Sequence, residues 1–365
     1  MRYVYLDNLR AILMLMGLVL HSCAAFSVSG YWLVTYIEPL TWADTVNQLI
    51  HWFRMPLFFI ISGFFGAYLL LKYSIMQFLK NKMMRIGLPL ITAILVFNTL
   101  QAGMLSVVNN QPFAQTYQQI GSGHLWFLIN LLLYFFILGC LRPIINSLTE
   151  RSFQSYLAII LPVSLIGFPV IYLGLLALNK IGLDIYAPII GGTSVFVLFS
   201  YFDYFMLGVI FGYLGHDVCW RYLNQHRYRV LSFVLFVIVA LVLINHIKDV
   251  FADVPVVIEI TSTLQERWLV LATSIVILWL AKHLLQTTHP ISMWLFSTSY
   301  TVYLSHHFFV LSLVIACNQL YLSGIKLPAT VAFVLVLTLT WTFSIGVHKC
   351  ITHKQKLRIL FNGKP

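Results

Sequence analysis

Runs of apolar residues follow one another along the whole chain and alternate with short polar stretches. An α-helix needs about 20 such residues to cross the hydrocarbon core of a bilayer. We predict ten membrane spans, at residues 9–28, 49–71, 86–106, 124–141, 155–177, 191–214, 229–246, 267–283, 293–316 and 328–347. The pattern therefore predicts an all-α polytopic membrane protein.

The charged residues between the spans predict how the chain is oriented. Because the number of spans is even, both termini lie on one side of the membrane. The loops on that side contain most of the lysines and arginines, whereas the opposite loops contain most of the aspartates and glutamates. Basic loops stay in the cytoplasm. We therefore expect about ten transmembrane helices with both termini cytoplasmic.

The composition narrows the class of protein further. Of the 365 residues, 60% are hydrophobic and only 9% are charged, compared with about a quarter charged in soluble domains. This excludes a soluble enzyme. A formal net charge of +11 would suggest nucleic acid as the partner of a soluble protein. Here the orientation of the spans accounts for the charge, so nucleic-acid binding is excluded.

The loop lengths and the cysteine positions argue against a separate soluble domain, a disulfide framework and a metal site. No loop between the predicted spans is long enough for a separate soluble domain, so residues 1–365 are expected to form a single transmembrane domain. The five cysteines are scattered, without a CxxC pair or a His/Cys ligand spacing. Neither a disulfide framework nor a metal site is predicted.

The first span carries two ionisable side chains on one helical face. Arg10 and His21 are eleven residues apart, which is three turns plus about 20° and about 16 Å along the axis. Gly17 lies on the same face and leaves a groove one turn below His21. Ionisable residues within a span are functional candidates by default. For His21 we favour a functional role, whereas Arg10 alone is better explained as a cytoplasmic anchor that reaches the headgroups.

Two other spans contain pairs of ionisable residues. His306 and His307 lie in the ninth span at about the depth of His21. Because adjacent helical residues point about 100° apart, we expect at most one of the two to face a central cavity. His51 and Arg54 are one turn apart at the outer end of the second span. Arg54 either forms a salt bridge with the outer acidic loops or orients an anionic group.

The fourth and sixth spans add three candidates. His124 and Trp126 are placed at the outer mouth, where Trp126 is most simply explained as an interfacial belt residue. Asp203 is a carboxylate inside a predicted span, so it needs a partner, and Arg54 or a histidine is expected. A buried pair that holds helices together explains Asp203 as well as a role in catalysis does.

The inner ends of the first three spans are basic, with Arg10, Lys72, Lys80, Lys82 and Arg85. Such a cluster suits the phosphates of a nucleotide-like donor, but on its own it is better explained by topology and by attraction to anionic lipids. The sequence contains no GxSxG, Walker A, Rossmann or HExxH motif, so a serine nucleophile and an NTP-driven mechanism lack support. A histidine-rich outer half above a basic inner mouth suits a general base that acts on an acceptor, with a phosphorylated donor entering from the cytoplasm.

The pattern Arg10-x10-His21 resembles the signature of the membrane acyltransferase 3 family. Further segments, spread over most of the chain, are similar to the branch of this family that succinylates osmoregulated periplasmic glucans: YLDNLRAILMLMGLVLHS, HWFRMPLFFIISGFFGAYLL, MMRIGLPLITA, HLWFLINLLLYF, SYTVYLSHHFFV and KLRILFNGKP.

The resemblance implies a multi-pass protein of the bacterial inner membrane with ten transmembrane helices. It implies transfer of an acyl group from a cytoplasmic acyl-CoA, with succinyl-CoA first among the donors, to hydroxyls of a periplasmic glucan. No bound cofactor is implied. The matching site residues are the general base His21, the further catalytic candidates His306 and His307, and the CoA-phosphate contacts Arg10, Lys82 and Arg85.

Five residues remain as candidates for binding the acceptor or the acyl group: His51, Arg54, His124, Trp126 and Asp203. For Arg54 we expect one specific role. Succinyl carries a carboxylate, an unpaired charge is expensive in a low-dielectric channel, and Arg54 is placed to pair with it. Membrane lipids are expected partners, and a glucan synthase is the candidate protein partner.

Two alternatives remain open. One is an O-acetyltransferase for another envelope glycan, since donor and acceptor choice depend on the shape of the pocket. The other is a proton-coupled transporter or glycan exporter, in which the intramembrane histidines and aspartate form a proton relay. No convincing internal repeat supports a transporter. A transporter leaves its glycan unmodified and consumes no acyl-CoA, which separates the two classes.

Overall fold

The computed structural model describes residues 3–30, 32–147, 166–190, 193–251 and 253–363. These residues are almost entirely helical. The α-helices are α1 (Val4–Ala25), α2 (Thr41–Lys72), α3 (Ile75–Lys82), α4 (Leu88–Ala93), α5 (Thr99–Val108), α6 (Phe113–Ile120), α7 (Trp126–Cys140), α8 (Arg142–Ser147), α9 (Phe168–Lys180), α10 (Val195–Leu214), α11 (His216–Gln225), α12 (Arg227–Val250), α13 (Pro255–Leu284), α14 (Pro290–Leu322), α15 (Ala329–His353) and α16 (Gln355–Asn362). Strands β1 (Pro188–Ile190) and β2 (Thr193–Ser194) form a short antiparallel pair.

Nine helical stretches in the described ranges are long and apolar enough to cross a membrane: Val4–Ala25, Thr41–Lys72, Ile75–Val108, Phe113–Cys140, Val195–Leu214, Val230–Lys248, Pro255–Leu284, Pro290–Leu322 and Ala329–His353. They correspond to nine of the ten predicted spans. The other predicted span, 155–177, begins outside the described residues, and its described part belongs to the shorter helix α9. The all-α polytopic class is confirmed, while the side on which each terminus lies stays a prediction.

The chain divides into two compact units, each built from separate stretches of sequence. One unit contains Met1–Arg54, Lys80–Leu132 and Ala281–Pro365, and the other contains Met55–Leu79 and Leu133–Leu280. That the whole chain acts as a single domain stays a prediction.

Three helices form the framework of the first unit. Helix α1 packs along α14, and α14 packs along α15. Buried side chains such as Cys23, Val310 and Ala332 fill their contact, and small residues allow helices to approach closely. This packing places the C-terminal half of α1, which carries His21, beside the middle of α14.

The helical stretch from Ile75 to Val108 changes its winding twice. A π-helical turn, Met83–Gly87, separates α3 from α4, and a second one, Ile94–Asn98, separates α4 from α5. Such turns are rare and occur frequently at functional sites. Arg85 lies in the first turn and Gln101 follows the second, so both turns adjoin polar residues of the first unit.

In the second unit, α2 and α10 approach each other closely. A Cβ atom added at Gly63 would lie 2.0 Å from the carbonyl oxygen of Phe205, and one at Gly208 would lie 1.9 Å from the carbonyl oxygen of Ile60. No side chain fits at such distances. Glycine is therefore required at both positions for the two backbones to touch.

Residues 27–40 connect α1 to α2 and are fastened near both ends; all but residue 31 are described. We call them the outer segment, because they lie on the side predicted to face away from the cytoplasm. At the start, the N–H of Val28 donates to the Asp44 carboxylate at 2.8 Å. At the end, the Asn318 side chain accepts from the N–H of Ile37 at 3.1 Å and donates to the carbonyl of Thr35 at 2.9 Å. These bonds hold the segment against the ends of α2 and α14.

Candidate active site

Four histidine rings from three parts of the first unit lie together, and we call them the histidine cluster. His21 comes from α1, His124 from the 3-10 turn Gly123–Leu125, and His306 and His307 from α14. The ring centre of His21 is 5.2 Å from that of His306, 5.2 Å from that of His307 and 6.0 Å from that of His124. The rings of His124 and His307 are stacked at 4.6 Å.

We expected at most one of His306 and His307 to face a central cavity, but in the structure both rings contact His21. Adjacent helical residues point about 100° apart, yet the ring centres of both histidines lie 5.2 Å from that of His21. His306 is fully buried and His307 is 4% exposed. Helical periodicity predicts only the direction in which each side chain leaves α14. Whether two side chains meet also depends on the neighbouring helix, and here α1 places the ring of His21 against both.

Three of the four imidazoles donate a hydrogen bond to an oxygen acceptor. The bonds run from Nε2 of His124 to the carbonyl of Tyr303 (3.1 Å), from Nδ1 of His306 to the carbonyl of Val302 (3.0 Å), and from Nδ1 of His307 to Oε1 of Gln101 (2.6 Å). Because these oxygens only accept, the bonded nitrogen carries the hydrogen. In each neutral ring the other nitrogen therefore presents a lone pair.

Several buried polar atoms at the cluster have no hydrogen-bond partner in the described part of the chain: Nδ1 of His21, Nδ1 of His124, Nε2 of His306 and Nε1 of Trp32. Leaving such a group unsatisfied costs about 1–3 kcal/mol. Their concentration at one place indicates a site for polar chemistry. No group of three or more His, Cys, Asp or Glu side chains among the described residues has the geometry to hold a metal ion.

An aromatic ring of the outer segment covers the cluster. The ring centre of Trp32 is 4.5 Å from that of His307 and 5.0 Å from that of His21. The hydrogen-bonded ends of the outer segment lie on either side of Trp32 along the chain. The Trp32 ring, which we call the cap, thus packs on two of the four imidazoles of the cluster.

Arg54 lies against α1 beside the cluster. Its Nε donates to the backbone carbonyl of Leu13 at 2.8 Å. A Cβ atom at Gly17 would lie 2.4 Å from Nη2 of Arg54, so the groove predicted at Gly17 is present and holds this guanidinium. Arg54 is only 7% exposed, and its charge interacts with the imidazole of His21. The structure therefore places a buried cation next to His21.

The predicted donor-side residues meet at the other end of α1. The half-buried guanidinium of Arg10 lies over the ring of Phe296, 5.4 Å from its centre. Its charge is attracted by the Asp7 carboxylate and repelled by Arg85 and Lys82. Asp7 offsets only part of the charge of these three cations, and a bound polyanion would offset more of it. The arrangement suits an anionic ligand with several phosphate groups.

The prediction that Asp203 pairs with Arg54 or a histidine is wrong. Nη1 of Arg267 in α13 is 3.1 Å from Oδ2 of Asp203 in α10, and the two side chains are 8% and 6% exposed. Sequence reasoning places Arg267 at the outer edge of a span, but α13 begins at Pro255, so Arg267 lies twelve residues inside the helix. The pair belongs to the second unit, where it lines a mostly apolar cavity of about 140 Å³.

Two predicted residues have less defined surroundings. His51 lies in α2, is exposed, and has Arg54 as an electrostatic neighbour. Trp126 begins α7 and is half-buried, with its ring centre 6.5 Å from that of Phe127. A role of either residue in acceptor binding stays a prediction.

Sequence reasoning does not identify three residues of these arrangements. Gln101 is a polar residue within a predicted span. It would have been identified if amide side chains had been considered along with charged ones. Arg267 was missed because the span was predicted to start at residue 267, whereas α13 begins at Pro255. Trp32 lies in a connection without periodicity, so no local pattern points to it.

The sequence of this chain matches a known protein family over most of its length. The chain is a member of the acyltransferase 3 family, whose model, described as an acyltransferase domain, matches residues 3–347. The chain is therefore a membrane acyltransferase, and the resemblance noted in the sequence is confirmed.

Among curated proteins, the chain is similar to glucans biosynthesis protein C of Escherichia coli O157:H7 (strain EC4115 / EHEC) and of Escherichia coli (strain SMS-3-5 / SECEC). The identity is 30% over 227 residues in both cases. The match covers 57% of this chain and 58% of each relative, so it spans a little over half of their length. No solved structure matches the chain significantly.

Proposed function

We propose that this protein transfers a succinyl group from succinyl-CoA on the cytoplasmic side to a hydroxyl of a periplasmic glucan, in the bacterial inner membrane. Family membership supports acyl transfer, and the name of the similar E. coli proteins supports a glucan-related acceptor. The observation that carries the proposal is the position of His21, which shares α1 with the donor-side cation Arg10 and contacts three other imidazoles.

In this proposal His21 is the general base. Imidazole has an ordinary pKa of ~6.5, which suits proton transfer at neutral pH and typically contributes about 10²–10⁴-fold to the rate. Its nitrogen takes the proton of the glucan hydroxyl while the hydroxyl oxygen attacks the thioester carbonyl carbon. The carbon–sulfur bond then breaks, and CoA leaves as a thiolate that takes up a proton. The products are the glucan ester and free CoA.

Arg10, Lys82 and Arg85 are proposed to bind the phosphates of CoA. Arg10 and His21 are about 16 Å apart along α1, so a donor that reaches both must be long. Acyl-CoA carries its thioester at the end of a flexible arm attached to its phosphates. This length supports phosphate binding at the inner cations with the thioester at the histidine cluster.

Arg54 is proposed to bind the carboxylate of the succinyl group. A carboxylate without a partner is expensive in a low-dielectric site, and the guanidinium of Arg54 lies one turn of α1 from His21, over Gly17. The cation beside the proposed base supports a dicarboxylic acyl group over acetyl.

The proposal is tested by mass spectrometry of periplasmic glucans. Cells that lack the gene are complemented with the wild type, with His21→Ala, or with the control His246→Ala, which changes an exposed histidine of α12. We expect the succinyl mass with the wild type and the control, and almost none with His21→Ala at equal protein levels.

The other outcomes identify the alternatives. Wild-type succinylation by His21→Ala would refute the base assignment. Unmodified glucans in every strain would refute this acceptor, and acetyl groups on another envelope glycan would identify an O-acetyltransferase. If purified protein consumed no acyl-CoA, a proton-coupled transporter would be the better interpretation.

A further inference from the structure

We propose that His306 is a positioning residue that orients His21, by accepting a hydrogen bond from Nδ1–H of His21 on its own Nε2. This inference deepens the proposed function and rests on it. It assigns different tasks to the neighbouring imidazoles of the cluster, of which His21 alone exchanges a proton with the substrate.

The hydrogen bonds of α14 determine which nitrogen of His306 is the acceptor. Nδ1 of His306 lies 3.0 Å from the backbone carbonyl of Val302, and a carbonyl can only accept. Nδ1 therefore carries the hydrogen, and in the neutral ring Nε2 has a lone pair. This Nε2 is buried without a hydrogen-bond partner among the described residues, and so is Nδ1 of His21. Nε2 of His306 needs a hydrogen-bond donor, and Nδ1 of His21 becomes one when it carries the hydrogen of the neutral ring.

The separation of the two rings matches such a bond. Two imidazoles joined by an N–H···N bond of about 3 Å have their ring centres about 5 Å apart. The centres of His21 and His306 are 5.2 Å apart, with 37° between the ring planes. In this proposal the Val302 carbonyl keeps the His306 ring in place, and the His21 ring turns about its Cβ–Cγ bond until its Nδ1 meets Nε2 of His306. The rings of His124 and His307 are nearly perpendicular to that of His21, at 72° and 76°. Both are less suitable acceptors than His306: His124 is also farther away, at 6.0 Å, and no nitrogen of His307 is among the buried atoms without a hydrogen-bond partner in the described residues.

The bond would direct the reactive nitrogen of His21. If Nδ1–H is donated to His306, the lone pair lies on Nε2, which is then the atom that takes the substrate proton. The resulting imidazolium donates the same Nδ1–H more strongly, so the bond tightens as positive charge develops. A buried carboxylate has this task in the serine protease triad. A neutral imidazole achieves it without a further charge within a membrane span, where a charge is costly.

Three substitutions separate the positioning role from a structural one. His306→Asn keeps an amide that can donate to the Val302 carbonyl but removes the acceptor at Nε2. His306→Gln extends far enough to place its amide oxygen near the position of Nε2. His306→Leu removes both functions, and His246→Asn is the control on the surface of α12.

The test is the kcat and KM of purified, detergent-solubilised protein with succinyl-CoA and glucan. We expect His306→Asn and His306→Leu to lower kcat by about 10–100-fold, the loss typical when a partner that orients a metal-bound histidine is removed, with KM for succinyl-CoA nearly unchanged. His306→Gln should recover most of kcat. Combined with His21→Ala, His306→Asn should cause no further loss, because a residue that acts through His21 has no effect without it.

Three results would overturn the inference: wild-type kcat for His306→Asn, equal losses for His306→Asn and His306→Gln, or a further full loss in the double variant. Thermal unfolding of each variant shows that it is folded, and the comparison of Asn with Gln holds even where Leu fails to fold. A wild-type protein that transfers no acyl group from any acyl-CoA would instead overturn the proposed function, and this inference with it.

Discussion

Replacement of Arg54 by leucine should change which acyl group the protein transfers. The guanidinium is buried against α1, where its Nε bonds to Leu13 and its Nη2 lies over Gly17. The Leu13 carbonyl is within a helix and keeps its backbone bond after the substitution. The main loss is therefore the cation beside His21, which is the proposed partner of the succinyl carboxylate.

The size of the effect follows from the bond that is lost. A hydrogen bond to a charged group contributes about 1.5–3 kcal/mol, and 1.36 kcal/mol is a factor of ten in rate. We therefore expect Arg54→Leu to lower kcat/KM for succinyl-CoA by about 10- to 150-fold. Acetyl-CoA has no carboxylate on its acyl group, so its kcat/KM should fall much less.

The assay compares both donors with the same glucan acceptor, and the decisive quantity is the ratio of their kcat/KM values. Gly17→Ala is the matched control, because the added methyl group displaces the guanidinium without removing its charge. It should shift the ratio in the same direction but less. Equal losses for both donors in Arg54→Leu would refute the pairing of Arg54 with the acyl carboxylate.

Three further predictions concern the donor site, the cap and the second unit. Arg85→Ala should raise KM for acyl-CoA about tenfold, the effect of one charged contact, with little change in kcat; an unchanged KM would contradict the phosphate role. Trp32→Ala should increase hydrolysis of acyl-CoA relative to transfer, because water gains access to His21; CoA release without glucan acylation measures this, and an unchanged ratio would contradict the role of the cap. Arg267→Leu should destabilise the purified protein by about 3–5 kcal/mol, because Asp203 stays buried without its partner. Replacing both members of this pair by leucine should recover much of the thermal stability, and a single variant as stable as the wild type would contradict the argument.

The chemical identity of the site residues is largely visible in the sequence because ionisable groups are rare in membrane spans. His21, His124, His306, His307 and Arg54 all stand out for this reason, and all belong to the first unit. The regular geometry of a helix is also sufficient to place Arg10 and His21 on one face. These conclusions depend only on residue type and on positions within one helix.

Pairings between helices follow no such local rule. The sequence predicts Arg54 or a histidine as the partner of Asp203, but the carboxylate meets Arg267, because the start of α13 lies well before the apolar run that marks the span. Gln101 reaches His307 after two π-helical turns. An extra residue in a helical turn rotates all that follow, so a regular helix drawn from the sequence misplaces this side chain.

By itself the sequence determined that this is an all-α membrane protein, the position of most spans and which ionisable side chains lie within them, since bilayer thickness and the cost of buried charge act on each segment separately. The tertiary structure alone decided that both histidines of α14 contact His21, that Arg54 fills the groove at Gly17 and that Trp32 covers the cluster. Those contacts join residues up to hundreds of positions apart, and they depend on how closely α1, α2 and α14 pack, which no single segment encodes.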